Sequence, residues 1–420
     1  MSTGASTIYA APTRPGTPFL IFCLYTFVLI GRPQDFIPLL APLRLALVFT
    51  VLMSFVTLLQ KREGISNFFW QRESKLYFLF FGIMCAGIPF SVYRRGSFDF
   101  VILSYVVNMV FFTLCLLHVN TFEKFKRFVA ILMSIGLFFS LFGLVQGSLQ
   151  GGRYTTGGDV FDPNDVAYIG ISLFPFGMSV LLGSYRFPTK MIALSGLLLC
   201  VLLTLYTGSR GGFVGLMTLV LLFLFLPIRR VKKSYKVLVI MVFIAVAIIN
   251  VNKINMERYQ TLGELDQDYN LTDEFGRKQI WKRGFQLFFK NPITGVGVAG
   301  FNEALGKMRG RENLPSQKWQ TAHNSYLQIM VETGIFGVTV FIYLIGKCVK
   351  TFNQFRKRRE ASVEKDFSTM SGILLVGFIA QLVVAFFLSQ GYSASFTLFF
   401  ALSASLNGIE QAGGEKRPYA

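Results

Sequence analysis

Histidine is nearly absent from this chain, with two in 420 residues. That is too few for a histidine-rich metal centre, and no cluster of carboxylates stands at metal-ligand spacing, so no metal and no cofactor is expected. The five cysteines (Cys23, Cys85, Cys115, Cys200 and Cys348) fall in apolar segments without paired spacing. They read as small buried hydrophobes, not as disulfides or metal ligands. Charge is scarce at 15% of residues, and acids are scarcest, 22 against 41 Lys and Arg. The polar N-terminus precedes an apolar run without a small-residue cleavage pattern, so that run is expected to stay as a spanning helix. No carboxylate stands clearly in mid-span and no internal repeat is visible. Both are marks of many transporters, the rival class for such a chain.

What is abundant is apolar: 53% hydrophobic residues, 46 Phe and a mean hydropathy of +0.52. Soluble domains do not carry this composition. Apolar runs fall at about 17–31, 37–60, 76–92, 98–119, 128–149, 165–185, 191–207, 211–228, 237–251, 324–348, 367–389 and 393–408. Each is near the length a helix needs to cross the hydrocarbon core. The expected fold is an all-α polytopic membrane protein of about twelve spans, one integral membrane domain over 1–420. A long polar loop, 252–322, separates spans nine and ten and is expected to be helical.

The net charge of +19 raises the question of nucleic acid. Its distribution answers it. Basic clusters at Lys61–Arg62 with Arg72 and Lys75, at Lys124, Lys126 and Arg127, at 229–236 and at 356–359 follow every second span. That is the positive-inside pattern, and it places both termini in the cytoplasm and 252–322 outside. Membrane lipids, not nucleic acid, account for the charge.

The outward segments hold the polar chemistry. Asp162-Pro163-Asn164-Asp165 reads as an N-cap, an N1 proline and an acidic first turn, or as a holder of sugar hydroxyls. Arg210, in Thr207-Gly-Ser-Arg-Gly-Gly212, sits at headgroup level. It can snorkel to lipid phosphates or grip a pyrophosphate with paired donors. Asp273-Glu274, then Arg277, Trp281, Phe285 and Phe288, has helical periodicity that Asn291-Pro292 should end. Arg277 and Trp281, one turn apart, share a face that suits a sugar phosphate. An amphipathic helix with a solvated basic edge of Lys278, Lys282 and Arg283 fits as well. His323 reads as the opening of a further helix with the stripe Leu327, Met330 and Val331, and Glu332-Thr-Gly334 as its passage into a span. Its imidazole can take a proton from a sugar hydroxyl, or simply satisfy backbone groups at a helix start. Asn324 can orient the ring or an acceptor. Gly295-Val-Gly297-Val-Ala-Gly300 has the letters of a dinucleotide fingerprint but no βαβ context. A tight turn is expected there.

Taken together, Ser209-Arg210-Gly211-Gly212, Gly276-Arg277 with Trp281, Asn291-Pro with Gly295-Val-Gly297, Ala322-His323-Asn324-Ser-Tyr-Leu327 and Glu332-Thr-Gly334-Ile-Phe-Gly337 resemble the bacterial O-antigen ligase and polymerase superfamily. The resemblance covers about 200–340 by motif and the whole chain by topology. It implies inverting, metal-independent transfer of a glycan from undecaprenyl diphosphate at the periplasmic face of the inner membrane. The acceptor would be a lipid A core sugar for a ligase, or another lipid-linked glycan for a polymerase. It also implies His323 as general base and Arg210 and Arg277 on the departing diphosphate, with Arg283 as an auxiliary outside the core match. Gly31-Arg-Pro-Gln-Asp35 and Phe161-Asp-Pro-Asn-Asp165 resemble members tied to exopolysaccharide clusters, which keeps both reactions open.

Overall fold

The computed structural model of the chain describes residues 16–60, 71–150, 153–156, 162–228, 231–260, 276–311, 320–358 and 364–414. Asp273, Glu274, Lys61, Arg62, Arg229, Arg230 and Arg359 lie outside the described residues, as does the acidic stretch 264–268. Every one of the twelve apolar runs falls on a helix. In chain order these are α1 Thr17–Gly31, α2 Leu45–Leu58, α3 Arg72–Gly87, α4 Arg94–His118, α5 Phe122–Gln146, α6 Pro163–Leu182, α7 Phe187–Tyr206, α8 Arg210–Phe225 and α9 Lys233–Ile249. The polar interval contributes α10 Arg277–Lys290 and α11 Phe301–Arg311. Three further helices follow: α12 Ser325–Lys357, α13 Glu364–Ala385 and α14 Ala394–Gly414. Among the described residues, seven helical stretches are long and apolar enough to cross a bilayer, and α1, α2 and α8 are shorter apolar helices. The protein is a multi-pass membrane protein. A small antiparallel pair, β1 Ser148–Gln150 with β2 Arg153–Thr155, departs from the all-α expectation.

Helix α6 is the centre of the bundle, packed by α5, α7, α8 and α13 and buried along most of its length. Glycines make this possible. A Cβ on Gly377 would overlap Pro175, and one on Gly215 would overlap Val384. In lipid, where apolar burial gives little drive between helices, such close approach supplies the dispersion contacts that hold them together.

Hydrogen bonds sort the inter-helix connections onto two ends. At one end, Ser209 Oγ donates to Asn164 Oδ1 at 2.8 Å, Gln390 Nε2 to Asp165 Oδ1 at 2.8 Å and Val92 N to Val296 O at 3.0 Å. At the other, Tyr185 Oη donates to Lys126 O at 2.8 Å, Lys126 Nζ meets Asp366 at 3.4 Å and Arg358 pairs with Glu410. The described basic clusters gather at this second end. The charge alternation in the sequence predicts such a division.

Within 252–322 the described residues are helical at Met256–Gln260, in α10 and in α11. Helix α10 ends at Asn291 ahead of Pro292, as the sequence predicts. The glycine run that follows is a turn lying against α12. Val296 N donates to Val331 O at 2.8 Å and Gly297 N to Glu332 O at 3.0 Å. Gly334 breaks α12 at φ 65°, ψ −167°, and Ile335 N reaches back to Pro292 O at 2.8 Å. A Cβ at Gly334 would strike the carbonyl of Ile293, so glycine is required at this kink for space and for torsion.

Candidate active site

The Arg210 turn is built by capping. Ser209 is the N-cap of α8, its Oγ accepting from Gly212 N at 3.1 Å, and Gly208 before it takes φ 57°. Arg210 is the first residue of α8, where unsatisfied backbone N–H groups already make the potential positive. Two further arginines close on the turn. Arg153 Nε donates to Thr207 O at 3.3 Å, and Arg258 Nε donates to Gly208 O at 3.2 Å. Through these bonds the two guanidinium groups brace the backbone of the turn that carries Arg210.

His323 departs from the sequence expectation. It does not open α12. Asn324 is the N-cap, its Oδ1 accepting from Tyr326 N and Leu327 N at 3.0 Å each, and His323 precedes it at φ 45°. Positive φ is uncommon for a residue with a Cβ and persists only where its surroundings hold it. Here the peptide between Ala322 and His323 is held on both polar groups. Trp281 Nε1 donates to Ala322 O at 3.0 Å, and His323 N donates to Ser389 Oγ at 2.9 Å. Trp281 also stands edge-on to Phe386, with ring centroids 5.4 Å apart. Burial lowers the pKa of His323 below the usual histidine range. The Arg277 charge lowers it further, and Asp162 opposes both. The imidazole is therefore neutral near pH 7.

These segments are thus joined at one end of the bundle. Asn164 Oδ1 accepts from Ser209 Oγ at 2.8 Å and from an Arg153 guanidinium nitrogen at 3.1 Å, which joins the α6 N-terminus to the Arg210 turn. Gln390 joins Asp165 to α12, its backbone N donating to Ser325 Oγ at 2.9 Å. Ser389 and Trp281 complete the circuit to His323. Asp162 caps α6 as expected, accepting from Asn164 N at 2.7 Å. The expected core stripe of α12 holds as well, with Leu327 and Val331 buried and Met330 packed beside them. Arg277 and Trp281 share the face of α10 that meets His323. Arg283 is buried on the face with Ile280, Gly284 and Leu287, whereas Lys278 and Lys282 are exposed, so the basic edge excludes Arg283.

Sequence reasoning missed Ser389, Gln390, Arg258 and Arg153. The residue types of Ser389 and Gln390 carry no signal. Their roles arise from partners far away in the chain.

Residues 195–342 match the family model described as O-antigen ligase. This stretch is similar to O-antigen ligase domains. It runs from α7 to just beyond the Gly334 kink and contains Arg210, Arg277, Trp281, Arg283, His323 and Asn324. The segments 162–165 and 386–393, which hold residues of the matched stretch in place, lie outside the match. A protein of Haemophilus influenzae described as uncharacterized is 24% identical over 190 residues, 42% of this chain and 48% of that relative. The chain thus spans about half the length of the curated relative it matches.

Proposed function

We propose that this member of the O-antigen ligase superfamily is a glycosyltransferase. It moves a glycan from undecaprenyl diphosphate to a lipid A core sugar at the periplasmic face of the inner membrane, with twelve spans and both termini cytoplasmic. The observation that carries this reading is the hydrogen-bonded circuit through Trp281, Ser389, Gln390 and Asn164 that brings His323 to the same end of the bundle as the Arg210 turn.

In the reaction an acceptor hydroxyl attacks the anomeric carbon of the donor. The bond from that carbon to the diphosphate oxygen breaks, with inversion. The hydroxyl proton passes to the His323 imidazole, which is free to accept it because burial and Arg277 keep the ring unprotonated. Undecaprenyl diphosphate departs carrying the negative charge that grows in the transition state. Arg210 and Arg277 neutralise that charge, an interaction stronger in the transition state than in the bound donor. Trp281 and Ser389 hold the peptide that aims His323, and the Asn324 cap fixes where α12 begins. Arg283 supports α10 from its buried face. The resemblance implies that no metal takes part, the arginines supplying the charge neutralisation.

Polymerisation of lipid-linked repeat units is the second reading. It is favoured by Arg32, which lies close enough to Asp165 to act on it electrostatically and so links the two exopolysaccharide-like segments. The deciding assay uses purified protein, an undecaprenyl-diphosphate glycan and lipid A core, without divalent metal. Glycosylated core, lost in Arg210→Ala and His323→Ala, supports the ligase. Growing donor chains with untouched core support the polymerase. Movement of lipid-linked sugar in liposomes without any transfer overturns both and makes the protein a transporter.

A further inference from the structure

Helix α10 lies in the polar interval yet does not have the surface of a helix standing in water. Its buried face, Ile280, Arg283, Gly284 and Leu287, packs on the small core formed with α11 and the start of α12. On the opposite side, Lys278 and Lys282 are exposed toward its N-terminus, and toward its C-terminus large apolar side chains are exposed, flanked by Gln286 and Lys290. Phe285 is 48% exposed, Phe289 74% and Ile293, just beyond the helix, 63%. Phe289 is as bare as Phe225 near the end of the apolar helix α8, at 71%. An aqueous surface does not favour rings this exposed at successive turns of one helix.

The apolar strip also continues onto membrane-spanning surface. The bond from Ile335 N to Pro292 O sets Ile293 beside the start of the apolar part of α12, where Ile335 and Phe336 are exposed. Thr294 O lies in van der Waals range of a Cβ placed on Gly87, at the end of α3, and exposed Phe90 follows there. Phe285, Phe289 and Ile293 therefore extend the lipid-facing surface of two spanning helices into the polar interval.

We propose that α10 is an interfacial helix. The side chains of Phe285, Phe289 and Ile293 are seated among the acyl chains of the leaflet at the site end, while Lys278 and Lys282 stand level with the lipid phosphates. Its occupant is the bilayer itself. One consequence rests on the transfer reaction proposed above: Arg277 and Trp281 are then held at the depth where a lipid-anchored diphosphate lies.

The test uses the full chain in phosphatidylcholine–phosphatidylglycerol vesicles, with nitroxide labels on Phe289→Cys, Ile293→Cys and Lys278→Cys and the labelled wild type as background. The expected result is that oxygen relaxes the label more than an aqueous nickel chelate does at 289 and 293, with the order reversed at 278. Nickel chelate dominating at all three positions would overturn the proposal. As a check free of the label, Phe289→Trp should be quenched by phospholipids brominated on the acyl chains; fluorescence equal to that in unbrominated lipid would overturn it too. Neither readout involves a glycan, so the proposal can fail while the transfer reaction stands, and the reverse.

Discussion

The two ends of the bundle are both basic, and they handle their cations differently. At the end with Lys126 and Arg358, cations bridge helices through carboxylates, Lys126 to Asp366 and Arg358 to Glu410, although Arg356 there also donates to Pro227 O. At the other end, Arg153 and Arg258 donate to carbonyls of the turn before Arg210, while Asp162 and Asp165 accept from amide groups of Asn164 and Gln390. An ion pair cancels charge, whereas a carbonyl only orients it. The first arrangement ties helix to helix, and the second ties arginines to the backbone of the turn that carries Arg210, although Arg32 at that end pairs with Asp35.

If that difference is functional, substitutions at the two ends should separate sharply. The largest effect is expected at His323. Replacing it with Ala should lower transfer by roughly 10²–10⁴-fold, the usual worth of a general base, while donor binding measured on the same sample persists. Arg277→Gln comes next, with transfer reduced on the order of 10²–10³-fold because charge on the leaving group goes unopposed. Ser389→Ala should cost about tenfold, close to the net worth of one hydrogen bond, with kcat reduced and KM little changed. A purely structural Ser389 would instead lower the melting temperature and leave kcat alone. Least of all, Lys126→Ala at the opposite end should leave transfer unchanged and destabilise the fold by about 1 kcal/mol or less. Loss of transfer in Lys126→Ala comparable to that in Arg277→Gln would erase the distinction between the ends.

Much of this arrangement is legible in the sequence because it is local. The apolar runs fall on helices, Asp162-Pro163 caps α6 and Asn291-Pro292 stops α10, since each depends on neighbours a few residues away. The motif residues Arg210, Arg277 and His323 could be named for the same reason, and because their chemistry is distinctive. The geometry of His323 could not. Its positive φ follows from Trp281 and Ser389, 42 and 66 residues away, gripping one peptide, and only the folded chain brings these together. Gln390 meets Asp165 across 225 residues, and nothing in a short polar loop between two spans marks it for that partner.

The most direct test of the site is the pH dependence of transfer. A base must be unprotonated to act, so the rate falls as pH drops through the pKa of His323. Burial and Arg277 lower that pKa, so the acid limb of wild type should lie below the ordinary histidine value of about 6.5. Residual transfer in Arg277→Gln should show the limb moved to higher pH, since one cause of the lowering is gone. Asp162→Asn should move it lower still, because Asp162 opposes the shift. A limb at the same pH in all three proteins, or one that persists unchanged in His323→Ala, would contradict the assignment of His323 as the base.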